Sequence, residues 1–292
     1  MCAATGAGRR SGICRKAAKP RRWTFPSDAA RRLRRRPKPA MSGAHTGRSL
    51  PGHQNKGHIM KTIVVCSGGL DSVSLAHMVA AQGGLTRLIS FDYGQRHRKE
   101  LDYAALAARR LGVPHHVIDM RGVGAVLTGS ALTGGAEVPD GHYAEETMRI
   151  TVVPNRNAIM LTVAFGMAAA MGDQAVATAV HGGDHFIYPD CRPAFTQAFQ
   201  QMQDAALDGY AQARLLTPFV HRTKADIVTE GARHDTPFAE TWSCYKGGAL
   251  HCGRCGTCVE RREAFHLAGI PDPTAYEDAD FWRQAIAERE RA

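Results

Sequence analysis

Apolar and polar positions along this chain switch between two periods from residue 62 onward. Thr62-Ile63-Val64-Val65-Cys66 is a short apolar run rich in β-branched residues, and Gly68-Gly69 interrupts it. It therefore reads as a strand ending in a tight turn. Beyond Asp71 and Ser72, the apolar residues Val73, Leu75, Ala76, Met78 and Val79 recur at helical spacing, which predicts a helix. The alternation continues. Leu88–Tyr93 and His116–Asp119 read as strands, with a helix over about 98–111 that places Leu101, Ala104, Ala105 and Ala108 on one face. An apolar helix from Asn157 to Met171 and a strand over Ala175–Val180 follow, then helices at about 193–209 and 222–234. The Gly-rich stretch at about 121–147 reads as a loop or mobile flap over a site. Repeated strand–helix units predict an α/β fold, a parallel sheet with helices on both faces, and ligands at the carboxyl ends of its strands. There is no internal repeat. No 18-residue apolar run is present, so nothing is expected to span a membrane.

Charge divides the chain in two. Residues 1–58 hold 15 Lys or Arg and one acid, Asp28; the remainder holds 22 basic and 26 acidic residues. The basic character therefore belongs to the leader. With runs such as Arg31-Arg32-Leu33-Arg34-Arg35-Arg36 and few apolar residues, residues 1–59 are expected to be a disordered extension without catalytic function. A transit segment, a nucleic-acid tail and upstream codons included before a start at Met60 are the competing readings. Residues 60–240 are expected to form the main α/β domain, and 241–292 a small metal-binding segment with C-terminal helices.

The turn at Ser67–Ser72 carries the first chemistry. Side-chain-free amides at a helix N-terminus make a positive concavity suited to an anion. Neither G-x-x-x-x-G-K-[ST] nor G-x-G-x-x-G is present, so it is neither the common P-loop nor a dinucleotide fingerprint. It reads as a pyrophosphate cradle; the plain alternative is a tight turn in which Asp71 or Ser72 only caps the helix.

Cys244, Cys252, Cys255 and Cys258 carry the second, four of eight cysteines within 15 residues. Gly247, Gly248, Gly253 and Gly256 let the backbone wrap so that four sulfurs converge. Four thiolates satisfy Zn²⁺ completely and leave no open position, the pattern of a structural site. An iron–sulfur cluster is the alternative. No secretory segment precedes the domain, so a disulfide framework is not expected and a reducing cytoplasm fits.

Ser67-Gly68-Gly69-Leu70-Asp71-Ser72 resembles the PP-loop of the ATP-pyrophosphatase superfamily. Further along stand Phe91-Asp92-Tyr93-Gly94-Gln95-Arg96-His97, Val153-Pro154-Asn155-Arg156-Asn157 and Gly183-Asp184-His185-Phe186-Ile187-Tyr188-Pro189-Asp190-Cys191-Arg192. Trp242-Ser243-Cys244-Tyr245 and Cys252-Gly253-Arg254-Cys255-Gly256-Thr257-Cys258, followed by Arg261, complete the set. With these blocks, residues from about Met60 to Tyr276 resemble the 7-cyano-7-deazaguanine synthases, ATP-dependent nitrile-forming ligases of queuosine biosynthesis. The resemblance implies an adenine-nucleotide alpha-hydrolase-like sheet. It implies as substrates ATP with Mg²⁺, 7-carboxy-7-deazaguanine and ammonia, and a homodimer.

Under that resemblance Ser67, Gly68, Gly69, Asp71 and Ser72 meet the pyrophosphate, and Cys66–Ala76, including Leu70, Val73, Ser74 and Leu75, forms the ATP site. Asp71, Ser72 and Lys224 are the catalytic candidates, Lys224 to balance charge on departing pyrophosphate. Its plain alternative is a solvated lysine at a helix start. Arg156 is a candidate to bind phosphate bidentately; an ordinary surface ion pair is the alternative. Asp184, Asp190 and Arg192 are candidate substrate readers, against turn chemistry around Gly183 and Pro189. His97 and His185 read first as hydrogen-bonded loop histidines and second as proton carriers. The rival function is a PP-loop enzyme that adenylates transfer RNA. The net charge of −4 beyond residue 58 offers no general footprint for a polyanion, so no nucleic acid is expected. A zinc-bearing binding module with a basic tail would leave the turn without a task.

Overall fold

A computed structural model of the chain describes residues 59–134, 136–142 and 146–291; the basic leader lies outside them. The element order is β1 (Thr62–Val65), α1 (Leu70–Ala81), β2 (Leu85–Asp92), α2 (Glu100–Leu111), β3 (His115–Asp119) and the short α3 (Arg121–Gly124). Then come α4 (Arg156–Met171), β4 (Ala175–Ala177), α5 (Pro193–Ala206), β5 (Arg214–Leu216), α6 (Lys224–Arg233), α7 (Gly256–Ala268) and α8 (Phe281–Arg291). The five strands are all parallel and lie in the order β3-β2-β1-β4-β5.

The period of two along β1 decides the layering. Ile63 packs with Leu161 and Phe165 of α4 and Phe199 of α5. Its neighbour Val64 packs on the other face with Val73, Leu75 and Val79 of α1, Ala104 of α2 and Ile227 of α6. Both faces of the sheet are thus covered, and each fully buried aliphatic side chain contributes about 1.5–3 kcal/mol. The chain winds outward from β1 through β2 to β3, then returns to β1's other side as β4. Where the winding reverses, the connections after β1 and β4 leave in opposite directions and open a crevice at the strands' carboxyl ends.

The expected α/β architecture is what forms, with three differences. β5, only three residues at the sheet edge, is too short to leave a periodic signal. β4 stops at Ala177, and Thr178, Ala179 and Val180 line the crevice instead. The stretch read as a loop or mobile flap is, in its described part, the short α3 and a loop anchored on the body. Ser130, Ala131 and Leu132 are buried, and backbone bonds run from Ala131 N to Ile150 O and from Arg96 N to Leu132 O. Glycine content concealed three buried residues that tie the loop down. The C-terminal region packs on the same body: Phe265 of α7 shares a core cluster with Leu70 of α1 and Val228 of α6. Among the described residues no helix is long and apolar enough to cross a membrane.

Candidate active site

The turn after β1 is built around Gly68. Its φ is +87°, and a Cβ there would lie 2.1 Å from the carbonyl oxygen of Glu100. Glycine is required twice, for the left-handed backbone and for the close passage of α2. The Gly68 carbonyl accepts from the Trp242 amide at 2.9 Å. Ser72 Oγ accepts from the Ser67 amide at 3.1 Å and donates to the Gly69 carbonyl at 3.2 Å. Gly69 is the N-cap of α1, and no side chain caps that helix. Asp71 and Ser72 therefore do not cap it, and the first-turn amides open onto a cleft of about 1140 Å³, part of it open solvent. Replacing Gly68 with alanine is expected to lower ATP-dependent pyrophosphate release at least about 100-fold, the scale of a misplaced anion-hole donor. Wild-type turnover by that variant would show the turn to be mere punctuation.

Lys224 begins α6 directly after the N-cap Thr223, within a Thr223–Asp226 capping box, but its side chain turns inward. Its Nζ lies 2.9 Å from both Asp71 Oδ2 and Glu260 Oε2 and 3.4 Å from His181 Nε2. Burial alone would lower the Lys224 pKa; the Asp71 and Glu260 carboxylates instead raise it well above the ordinary lysine value. Burial also pushes against ionised Asp71, but Lys224 and then His181 more than offset it, and its carboxyl sits below the ordinary value. For Glu260 burial prevails over Lys224 and the carboxyl is raised. Asp71 Oδ1 is buried with no hydrogen-bond partner among the described residues.

The far wall of the cleft is aromatic and basic. Arg156, at the start of α4, donates to the Tyr93 hydroxyl at 3.4 Å and lies 5.8 Å from the Tyr188 ring centre. Asp184, beside His181 in a 3-10 turn, also lines the cleft. So do His97, Glu100 and Tyr245.

The remaining expected residues lie elsewhere. Asp190 accepts from the Asn157 amide through Oδ2 at 2.9 Å, at the start of α4, and is not among the residues lining the cleft. Arg192 is exposed and donates to the His185 carbonyl at 2.8 Å. Val73, Leu75 and Ala76 are buried in the α1 core cluster, and Ser74 is fully buried. Sequence reasoning passed over His181, Glu260 and Glu100. The available signals were a His-Gly-Gly-Asp turn directly after a strand and an acid two residues beyond Cys258.

The sulfur atoms of Cys244, Cys252, Cys255 and Cys258 lie within 4.8 Å of one another, and all four residues are buried. Amides of Cys252 and Cys255 donate to Cys244 Sγ and Cys252 Sγ at 3.4 and 3.3 Å. Gly253 has φ +77°, and a Cβ there would meet the Asp278 carbonyl oxygen at 1.8 Å. The loop can therefore wrap only with glycine at that place. This donor set can hold a metal ion.

The family model described as queuosine biosynthesis protein QueC matches residues 61–269. The chain belongs to the QueC family. Three curated relatives of this QueC chain bear the name 7-cyano-7-deazaguanine synthase. That of Ruegeria pomeroyi is 75% identical over 230 residues, 79% of this chain and 100% of the relative. That of Ruegeria sp. (strain TM1040) is 74% identical over 231 residues, covering 79% and 99%. That of Rhizobium meliloti is 77% identical over 223 residues, covering 76% and 94%.

Proposed function

We propose that this member of the family makes 7-cyano-7-deazaguanine from 7-carboxy-7-deazaguanine and ammonia, cleaving ATP between its α and β phosphates. The reading is carried by a phosphate-shaped glycine turn and a basic, aromatic wall that open onto one cleft at the sheet's reversal point. A carboxylate is a poor acceptor for ammonia because its leaving group would be oxide. Attack of its oxygen on the α-phosphorus forms an acyl adenylate and expels pyrophosphate. Ammonia then adds to the acyl carbon and AMP leaves with the C–O electron pair, giving the amide. A second adenylation, at the amide oxygen, followed by loss of AMP and the remaining N–H protons, leaves the nitrile. The amide oxygen takes the carboxylate oxygen's place, so one pocket serves both steps.

The residues divide the work by position. Amides of the Ser67–Ser72 turn hold the outer phosphates. Lys224, pinned by Asp71 and Glu260, faces the charge that develops on pyrophosphate. Mg²⁺ arrives with ATP, and Asp71 Oδ1, buried without a partner among the described residues, is an oxygen that suits a hard cation. Arg156 and Asp184 face the substrate side; Asp190 acts through the start of α4 and Arg192 from the outer rim.

The cysteine cluster suits a structural zinc ion. A tetrahedron with zinc–sulfur bonds of about 2.3 Å has edges of about 3.8 Å; Cys252 Sγ and Cys258 Sγ are 3.9 Å apart. An iron–sulfur cluster, interposing its own iron and sulfide atoms, needs a wider spread. The protein incubated with the carboxylate, ATP and ammonium is expected to yield AMP, pyrophosphate and a product with the nitrile's mass. ADP with orthophosphate, or pyrophosphate release dependent on RNA, would replace this reading.

A further inference from the structure

Glu100 is the buried acid of the cleft that the proposed chemistry leaves without a task. It opens α2, its backbone carbonyl is what Gly68 passes, and it lines the cleft together with Ser67, Gly69 and Asp71. Oε1 accepts from Gln95 Nε2 at 3.2 Å. Gln95 is itself held, donating to the Phe91 carbonyl at 3.1 Å and accepting from the Tyr93 amide at 3.0 Å. Oε2 lies 3.4 Å from His97 Nε2. The buried carboxylates Asp71 and Glu260, by contrast, share Lys224. No lysine or arginine ion-pairs directly with Glu100 among the described residues, Arg156 acting on it only from a distance, and a buried carboxyl with no cation in contact is a place for a small one.

We propose that Glu100 receives the ammonium ion and takes its proton, releasing neutral ammonia beside the activated carboxylate. The assignment rests on the amide-forming reading above. In its carboxylate form Glu100 accepts one proton from NH₄⁺, and the N–H pair becomes the lone pair of NH₃. That pair attacks the acyl carbon, the C–O bond to phosphate breaks, and AMP leaves with its electrons. One further proton passes from nitrogen to the departing phosphate or to water, and Glu100 later returns its own to solvent. His97, whose Nδ1 is buried with no partner among the described residues, supplies a second acceptor for an N–H.

The surroundings suit a proton acceptor. Glu100 is faced by His97 from its own loop, Arg156 from α4, Tyr93 from the end of β2 and Cys66 from the end of β1. Burial, against the opposing pull of Gln95 and Arg156, pushes its carboxyl up to about 8. Burial and then Arg156 push His97 down to about 3, so that imidazole is neutral. A carboxyl raised this far approaches an amine's own range, the match that efficient proton transfer needs.

The test is Glu100→Gln, which keeps size and hydrogen-bonding capacity. Exchange of labelled pyrophosphate into ATP, driven by the carboxylate alone, is expected to stay within about 3-fold of wild type. The kcat/KM for ammonium is expected to fall at least about 100-fold, the usual scale of a lost general base. Hydroxylamine, uncharged at neutral pH, is expected to form hydroxamate at the wild-type rate. Equal losses with ammonium and hydroxylamine, loss of exchange, or an unimpaired kcat/KM would each overturn the assignment. Absence of exchange in the wild type would instead sink the adenylation reading, a separate and recognisable failure.

Discussion

Lys224→Met is expected to lower pyrophosphate release from ATP by about 10³-fold, within the range for removing a positioned cation from a transferring phosphoryl group. It should also cost stability. The ammonium of Lys224 is 2.9 Å from both Asp71 and Glu260, and methionine would leave two buried carboxylates facing one another. Breaking a buried pair costs about 3–5 kcal/mol, or some 10 °C of melting temperature for a domain of this size. The sign of the pH dependence separates this from a general loss of packing. In the wild type the Asp71 carboxyl lies below its ordinary value. It contributes stability above that ordinary value, lost as pH falls through the folded one. Glu260 is raised, so its contribution runs the other way, present in acid and lost as pH climbs. Without Lys224, burial should raise both, and the variant should gain stability relative to wild type on going from about pH 8 to about pH 5. Thermal melts at both values, with pyrophosphate assays on the folded fraction, check the prediction. A variant that melts and turns over like wild type would return Lys224 to the role of a lysine at a helix start.

Under the structural-zinc reading proposed above, stripping the metal from the four-cysteine cluster is expected to have an equally large effect. Binding energies of structural zinc modules are on the order of 10 kcal/mol, comparable to the whole stability of a domain. Cys255 and Cys258 sit at the start of α7, the helix that also presents Glu260 to Lys224. The same helix carries Arg261, fully buried, whose guanidinium donates to Thr241 Oγ1 at 2.7 Å and the Phe238 carbonyl at 2.9 Å. Unfolding that helix start should therefore reach the cleft. Protein stripped by chelator under mild denaturation, or carrying Cys255→Ser, should lose helical circular dichroism, melt at least about 10 °C lower and lose pyrophosphate release. Elemental analysis of untreated protein should return one zinc per chain. A metal-free chain with unchanged melting would show the cluster to be dispensable, and a brown protein containing iron would exchange zinc for a cluster.

The features legible in the amino-acid order alone are those written within a few consecutive residues. The glycine turn and helix start at Ser67–Ser72 are legible because backbone freedom at Gly68 and Gly69 is a local property. The cysteine cluster is legible because its ligands span only 15 residues and the glycines between them permit one kind of wrapping. The periods of two and 3.6 likewise mark β1, β2 and the long helices, and with them the layered α/β architecture.

What only the folded chain decided is who faces whom across the crevice. Asp71, His181, Lys224 and Glu260 come from four separate segments, and no spacing rule links them. Lys224 at a helix start looks solvated until α6 packs between α1 and α7 and takes water from its ammonium. The ionisation of Glu100 is likewise set by desolvation, a consequence of burial that a residue's chain neighbours do not encode. Local order therefore determined the glycine turn, the cysteine spacing and the layers; long-range packing, through burial and charge pairing, determined which side chains meet in the cleft.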